Sequence, residues 1–279
     1  MRVLFSIILF VVTISNGFAQ QKETQIGYHS FGNGNEKVMV LHDWNGDHSN
    51  WNQMSEYLNP KEFTYVFMDA RGQGLSLGIK GEYTVTEIAK DLLNLADTLG
   101  WKSFSIVGHS FSTLSAQIAT KLNTNNRIKS IILVSGGPAS GLKFSKDEVN
   151  FFNAVAASRE VAEQAIGALT SNRYTKLWNE KKAQEFLEAA DVEVSRAYLK
   201  SFANVDYSKG LIGNKTPTLV VTTEFDYPSL RLENIKPRFE AMKYKDIKYV
   251  NVGNSGHYSM QETPVFLATT IENFILNVK

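Results

Sequence analysis

Short apolar runs alternate with amphipathic stretches along most of the chain. The apolar runs predict buried strands at residues 37–41, 63–68, 104–107, 128–134, 218–222 and 246–252. Apolar residues that recur at helical intervals predict helices at residues 49–58, 87–99, 113–119, 229–242 and 264–278. Near the start, apolar and polar residues alternate over residues 24–31, and residues 32–35 have the composition of a turn. This pattern predicts two short antiparallel strands or a strand and a loop. This alternation of predicted strands and helices is typical of an α/β fold whose mostly parallel central sheet is flanked by helices.

Between the strands at residues 128–134 and 218–222 the pattern becomes helical. It predicts helices at residues 146–169, 174–178, 181–190 and 192–202, with no strand signal of comparable strength. A helical excursion inside an α/β sheet is an insertion, and we expect it to cover the carboxyl ends of the strands. The predicted organisation is therefore a helical cap at residues 138–213 on a core of residues 20–137 and 214–279.

The first 19 residues have the composition of a secretory signal peptide. Arg2 precedes an apolar run at residues 3–14, and the small residues Gly17 and Ala19 stand three and one positions before a cut ahead of Gln20. The apolar run is short for a membrane span, although an uncleaved anchor is the alternative. We expect a bacterial-type signal peptide, a periplasmic or secreted mature protein, and no stable membrane association after cleavage.

Composition narrows the classes of partner. The chain of 279 residues carries 29 basic and 28 acidic residues, and loss of Arg2 with the signal peptide makes the balance neutral. A neutral protein without a basic cluster is not expected to bind nucleic acid or anionic membranes. The chain has no cysteine, and its five histidines lack close ligand spacing, so we predict no metal and no cofactor. No feature of the sequence specifies an oligomeric state.

The first candidate for chemistry is Ser110, which stands between the strand at residues 104–107 and the helix at residues 113–119. The sequence Gly108-x-Ser110-x-Ser112 predicts a sharp strand-to-helix turn that pushes the serine hydroxyl out above the sheet. The N–H groups at the start of the following helix favour negative charge that develops there. Ser112 occupies the position that is glycine in the common form of this motif.

Two further strand ends supply the groups that a serine nucleophile needs. His257 lies in a glycine-containing loop after the strand at residues 246–252, and an imidazole is suited to accept the serine proton. Asp226 follows the strand at residues 218–222 and would orient the imidazole, with Glu224 as the alternative acid. The predicted catalytic residues are therefore Ser110, His257 and Asp226, in the chain order expected of α/β-hydrolases.

These motifs together resemble the α/β-hydrolase fold family over nearly all of the mature sequence. They are Leu41-His42-Asp43-Trp44, Asp69-x-Arg71-Gly72-x-Gly74-x-Ser76, Gly108-His109-Ser110-Phe111-Ser112, residues 217–226, and Gly256-His257 with Glu262-x-Pro264. The resemblance implies a capped, esterase-like serine hydrolase whose oxyanion hole is formed by the backbone N–H groups of Phe111 and Trp44. Asp43 departs from the family's usual His-Gly dipeptide, and we expect its side chain to turn away from the oxyanion.

The predicted function is hydrolysis of a small or medium carboxylic ester, lactone or related acyl compound through an acyl-enzyme. The partner is thus a small-molecule acyl substrate. Related dehalogenases and epoxide hydrolases carry an aspartate where this chain has Ser110, so their chemistry is disfavoured. Carbon–carbon bond hydrolysis and aminopeptidase activity use the same three residues and stay open as alternatives. A non-catalytic small-ligand-binding protein with a hydrolase fold is a further alternative.

Overall fold

The computed structural model describes residues 25–278, and the predicted signal peptide lies outside this range. Within it, seven strands form one sheet in the order β1-β3-β2-β4-β5-β6-β7. The strands are β1 (Tyr28–Gly32), β2 (Glu36–Leu41), β3 (Phe63–Met68), β4 (Phe104–His109), β5 (Ile128–Val134), β6 (Thr218–Thr223) and β7 (Ile247–Val252). Only β1 is antiparallel to its neighbour, so the predicted α/β fold with a mostly parallel sheet is confirmed.

Helices connect the parallel strands. They are α1 (Asn52–Ser55), α2 (Val85–Thr98), α3 (Ser112–Leu122), α4 (Lys146–Val155), α5 (Arg159–Leu169), α6 (Lys176–Glu188), α7 (Val192–Phe202), α8 (Leu232–Ala241), α9 (Ser259–Glu262) and α10 (Pro264–Leu276). Helices α4–α7 all lie between β5 and β6. No helix in residues 25–278 combines the length and the apolar character that a membrane span requires.

The boundaries of the inserted helices differ from the sequence prediction. The helix predicted at residues 146–169 is two helices, because Ser158 adopts an extended backbone and its hydroxyl accepts a hydrogen bond from the Val161 N–H as the cap of α5. The segments predicted at residues 174–178 and 181–190 form the single helix α6. The helix predicted at residues 49–58 shrinks to a 3₁₀ turn at His48–Trp51 followed by the single turn α1.

Apolar layers cover both faces of the sheet. Along β2, Met39 and Leu41 pack into one layer, which includes Leu92 of α2, whereas Val38 and Val40 pack into the other layer with Ile271 of α10. A strand that is buried on both faces has no polar face, and this is why these strands are continuous apolar runs in the sequence. Because β4–β7 are parallel, the loops that follow them meet at one edge of the sheet.

Candidate active site

Ser110 occupies the turn between β4 and α3. Its φ of 55° lies in the left-handed region, which is uncommon for a residue with a side chain and indicates a strained turn. The Ser110 N–H donates to the Val134 carbonyl at 2.9 Å, which fixes the turn to β5. A side chain at position 108 would place its Cβ 2.8 Å from the Ser112 carbonyl oxygen, so the close strand–helix approach requires Gly108.

His257 and Asp226 form a buried pair. His257 Nδ1 lies 2.9 Å from Asp226 Oδ1, and the two residues are 3% and 0% exposed. Since a carboxylate oxygen only accepts, Nδ1 carries the proton and Nε2 is left as the basic nitrogen. The alternative acid, Glu224, instead accepts a hydrogen bond from the Asn254 N–H. The structure therefore brings Asp226, and not Glu224, to His257.

Ser110 and His257 line the same cavity, which has a volume of about 130 Å³ and lies beneath α4–α7. Its wall is mainly aromatic and aliphatic, with Phe111 and Tyr258 beside the two polar residues. The Ser110 hydroxyl forms no hydrogen bond with any residue in the described range 25–278. In ligand-free enzymes such catalytic hydrogen bonds are commonly long, and they shorten when substrate binds.

The surroundings of His257 change its basicity. Burial lowers the pKa of His257, but the charge and hydrogen bond of Asp226 raise it, and the charges of Asp43 and Glu262 add to this effect. The net result is a pKa above the usual 6.5. Burial holds the pKa of the neighbouring His109 well below its usual value, so His109 is neutral and donates through Nε2 to the His257 carbonyl at 2.9 Å.

Two backbone N–H groups at the cavity are free to bind an anion. Phe111 and Trp44 both line it, and within residues 25–278 neither backbone N–H has a hydrogen-bond acceptor. Phe111 immediately precedes α3, where the helix dipole favours negative charge. Trp44 is held in place by its ring, which donates through Nε1 to the Ser195 carbonyl at 2.9 Å and packs edge-on against Phe186.

The loop that carries Trp44 is tied to the Ser110 turn. His42 donates through Nδ1 to the Asp43 carbonyl at 2.7 Å and accepts through Nε2 from the Ala70 N–H at 3.0 Å. Both of its ring nitrogens therefore form hydrogen bonds with backbone groups. The Ser112 hydroxyl donates to the His42 carbonyl. Serine in place of the common glycine thus provides a direct hydrogen bond between the two segments.

Asp43 connects this loop to the inserted helices. Its Oδ1 accepts from Asn50 Nδ2, and Asn50 Oδ1 accepts from Lys182 Nζ of α6 at 3.0 Å. Burial raises the pKa of Asp43, and the nearby Lys182 opposes that rise. Asp43 also lines the cavity beside Ser110 and His257, so its charge lies close to the site even though one oxygen is engaged by Asn50.

Comparison with known proteins identifies the family. A family model described as the alpha/beta hydrolase fold matches residues 37–262, a span that includes Ser110, Asp226 and His257. The chain belongs to the α/β-hydrolase fold family. The predicted fold and family are therefore confirmed, and the membership supports a hydrolase activity.

Individual relatives of this α/β hydrolase differ in their named activities. The chain is 34% identical to a human serine hydrolase-like protein over 76 residues, which is 26% of this chain and 37% of that protein. It is 30% identical over 138 residues to 2-hydroxy-6-oxononadienedioate/2-hydroxy-6-oxononatrienedioate hydrolase 2 of Pseudomonas putida, 47% of this chain and 48% of the relative. A thermophilic esterase from Thermogutta terrifontis superposes with a TM-score of 0.76 at 25% identity, covering 91% of this chain and 93% of the esterase. The matches to the human protein and to the Pseudomonas putida hydrolase thus span less than half the length of each of these two relatives.

Glu262 is a site residue whose role the sequence reasoning missed. Its Oε2 accepts from the Gly256 N–H at 2.6 Å and its Oε1 from the Tyr258 N–H at 2.9 Å, so one buried carboxylate holds both peptides that flank His257. The Tyr174 hydroxyl donates to the same carboxylate at 2.9 Å. The available signal was its position five residues after His257, directly before the Thr263-Pro264 helix start.

Replacing Glu262 with alanine is expected to lower kcat/KM for an ester about 10- to 100-fold and to lower the Tm. The change leaves the Gly256 and Tyr258 N–H groups without acceptors, which costs about 1–3 kcal/mol for each buried group and releases the His257 loop. Steady-state kinetics and thermal unfolding measure the two effects. Glu272→Ala is the matched control, because Glu272 also accepts hydrogen bonds from a backbone N–H and a tyrosine hydroxyl. Wild-type kcat/KM in Glu262→Ala would contradict the positioning role.

Proposed function

We propose that this α/β hydrolase is a carboxylesterase-like serine hydrolase that cleaves a small or medium carboxylic ester, lactone or related acyl compound. Ser110 is the nucleophile, His257 the general base and acid, and Asp226 the residue that orients the imidazole. The observation that carries the proposal is the buried 2.9 Å pair of His257 and Asp226 in the wall of the cavity that Ser110 also lines. No cofactor is required for this chemistry.

The reaction proceeds in two half-reactions. Ser110 Oγ attacks the substrate carbonyl carbon while its proton moves to His257 Nε2, and the imidazolium that forms is stabilised by Asp226. The negative oxygen of the tetrahedral intermediate is bound by the N–H groups of Phe111 and Trp44, each of which is worth about 3 kcal/mol. The intermediate collapses when the bond to the leaving oxygen breaks and His257 returns the proton to that oxygen.

Water completes the cycle by the same route. His257 Nε2 takes a proton from the water as its oxygen attacks the acyl carbon, and the second tetrahedral intermediate uses the same two N–H groups. Its collapse releases the carboxylic acid, and His257 gives the proton back to Ser110 Oγ. The products are one acid and one alcohol, and the enzyme is unchanged.

The cavity favours a neutral acyl group of modest size. An apolar protein cavity of about 150 Å³ holds benzene, so a cavity of similar volume suits an aryl or short alkyl group. Among the described residues that line it, none is lysine or arginine, and the wall includes the acidic side chain of Asp43. A carboxylate carried by the acyl group would therefore lose its hydration in this cavity without gaining a cationic partner.

This charge pattern distinguishes the esterase from a second candidate, carbon–carbon bond hydrolysis. That candidate is supported by the named activity of the Pseudomonas putida relative, whose substrates are dioates. We expect turnover of neutral 4-nitrophenyl esters of acetic, butanoic and phenylacetic acid, and no measurable turnover of 2-hydroxy-6-oxononadienedioate. A higher kcat/KM for the dioate than for every ester would replace the esterase proposal with the second candidate.

The pH dependence follows from the charge around His257. Because His257 acts as a base only when neutral and its pKa lies above 6.5, kcat/KM is expected to rise with pH through a midpoint above 6.5. Asp43→Asn removes a negative charge that stabilises the imidazolium while keeping an acceptor for Asn50, so the midpoint should move to lower pH. Asp47→Asn, a neighbouring charge change, is the control and should leave the midpoint in place. A midpoint that moves up in Asp43→Asn would contradict this assignment.

A further inference from the structure

Ser135 combines two unfavourable features at the catalytic cavity. It is the first residue after β5, its φ of 50° lies in the left-handed region, and it is fully buried. Its hydroxyl has no hydrogen-bond partner within residues 25–278, although Ser135 lines the cavity. Glycine would avoid the backbone strain, and a residue without a hydroxyl would avoid the unpaired polar group. A strained residue with an unpaired buried hydroxyl at a cavity is typical of a ligand contact.

The backbone places Ser135 next to the reacting centre. The Ser135 N–H donates to the Val221 carbonyl, and the preceding carbonyl, of Val134, accepts from the Ser110 N–H, each at 2.9 Å. A side chain at Gly136 would place its Cβ 2.6 Å from the Ser110 carbonyl oxygen. The backbone of Ser135 therefore adjoins the turn that carries Ser110, and both serines line the same cavity.

We propose that Ser135 is a specificity-determining residue that hydrogen-bonds a hydroxyl or keto oxygen on the second or third carbon of the acyl group. A serine hydroxyl both donates and accepts, so it suits either oxygen. The preferred substrates are then esters of small 2- or 3-oxygenated acids with an otherwise apolar acyl chain. This inference rests on the proposed esterase function.

Two matched ester pairs test the proposal. The first is 4-nitrophenyl mandelate, as separate enantiomers, against 4-nitrophenyl phenylacetate, and the second is 4-nitrophenyl 3-hydroxybutanoate against the butanoate. The measured quantity is the ratio of kcat/KM for the oxygenated ester to kcat/KM for its partner, in the wild type and in Ser135→Ala and Ser135→Gly. The intrinsic reactivity of each ester is the same for all variants and cancels when their ratios are compared.

Loss of the hydroxyl should lower the ratio about 3- to 10-fold in at least one pair, the effect of one neutral hydrogen bond. Ser115→Ala is the control, because the Ser115 hydroxyl is also buried without a partner but Ser115 does not line the cavity. Its ratios should equal those of the wild type. Ser135→Gly should have a Tm at or above that of the wild type, because glycine adopts the positive φ freely.

The outcomes separate this inference from the function on which it rests. If the wild type hydrolyses the esters but neither ratio falls in the Ser135 variants, the specificity role is wrong and the esterase proposal stands. If ratios fall equally in Ser115→Ala, the effect comes from general loosening and the role is also wrong. If the folded wild type hydrolyses none of the four esters, the esterase function fails, and this inference fails with it.

Discussion

Ser110→Ala is expected to lower kcat for ester hydrolysis about 10⁴- to 10⁶-fold, the largest loss of any single substitution in this protein. The variant has no atom that can form the acyl-enzyme, and only the residual effect of the oxyanion N–H groups and of binding is left. The measurement is 4-nitrophenol release at saturating ester. Affinity for the ester, measured by equilibrium binding to Ser110→Ala, should be within a few-fold of the wild-type KM.

Ser110→Gly is the companion variant for Ser110→Ala. Glycine adopts the φ of 55° at position 110 without strain, so this variant should lose the same activity while its Tm equals or exceeds that of the wild type. A low Tm in Ser110→Ala alone would then reflect the backbone of the turn. Wild-type turnover in either variant would mean that a different residue is the nucleophile.

Asp226→Asn is expected to lower kcat about 10⁴-fold, the second largest effect. The amide no longer favours the imidazole tautomer with a proton on Nδ1, and it no longer stabilises the imidazolium that forms when Ser110 loses its proton. Asp226 Oδ1 also accepts from the Tyr227 N–H at 2.7 Å, so a modest loss of stability accompanies the loss of activity. Kinetics over roughly pH 5 to 9, a range around the typical His pKa of about 6.5, measure the loss of activity, and thermal unfolding measures the loss of stability.

Glu224→Gln is the control for the acid. Glu224 lies two residues before Asp226 and accepts a hydrogen bond from the Asn254 N–H rather than from His257. The kcat of the Glu224→Gln variant should therefore stay within about tenfold of the wild-type value, the size of a small positional effect. A larger loss in Glu224→Gln than in Asp226→Asn would reverse the assignment of the acid.

The sheet and the turn at Ser110 were predictable because both have strong local signals. Burial on both faces leaves β2–β6 as apolar runs, and the close approach of β4 to α3 requires a glycine at position 108. His257 and Asp226 were recognisable because each follows a strand whose carboxyl end must lie at the same sheet edge as Ser110. The chain order expected of α/β-hydrolases then predicted a base for His257 and an orienting acid for Asp226.

Other parts of the site depend on contacts between distant segments, which periodicity does not report. Glu262 acts through the backbone of Gly256 and Tyr258, and the same glutamate in another fold would be an ordinary helix residue. The link from Asp43 to Lys182 joins residues 139 positions apart through Asn50. The division between α4 and α5 at Ser158 also escaped prediction, because serine is common both within helices and at their caps.

In the proposed mechanism Ser110 is activated by His257. This activation is tested by intact-mass analysis of the purified protein after reaction with a fluorophosphonate probe, beside Ser110→Ala and His257→Ala. We expect one adduct on the wild type, at Ser110, and none on either variant over the same time. Absence of an adduct on folded, monodisperse wild type, or equal labelling of His257→Ala, would contradict it and favour a protein that binds small ligands without turnover.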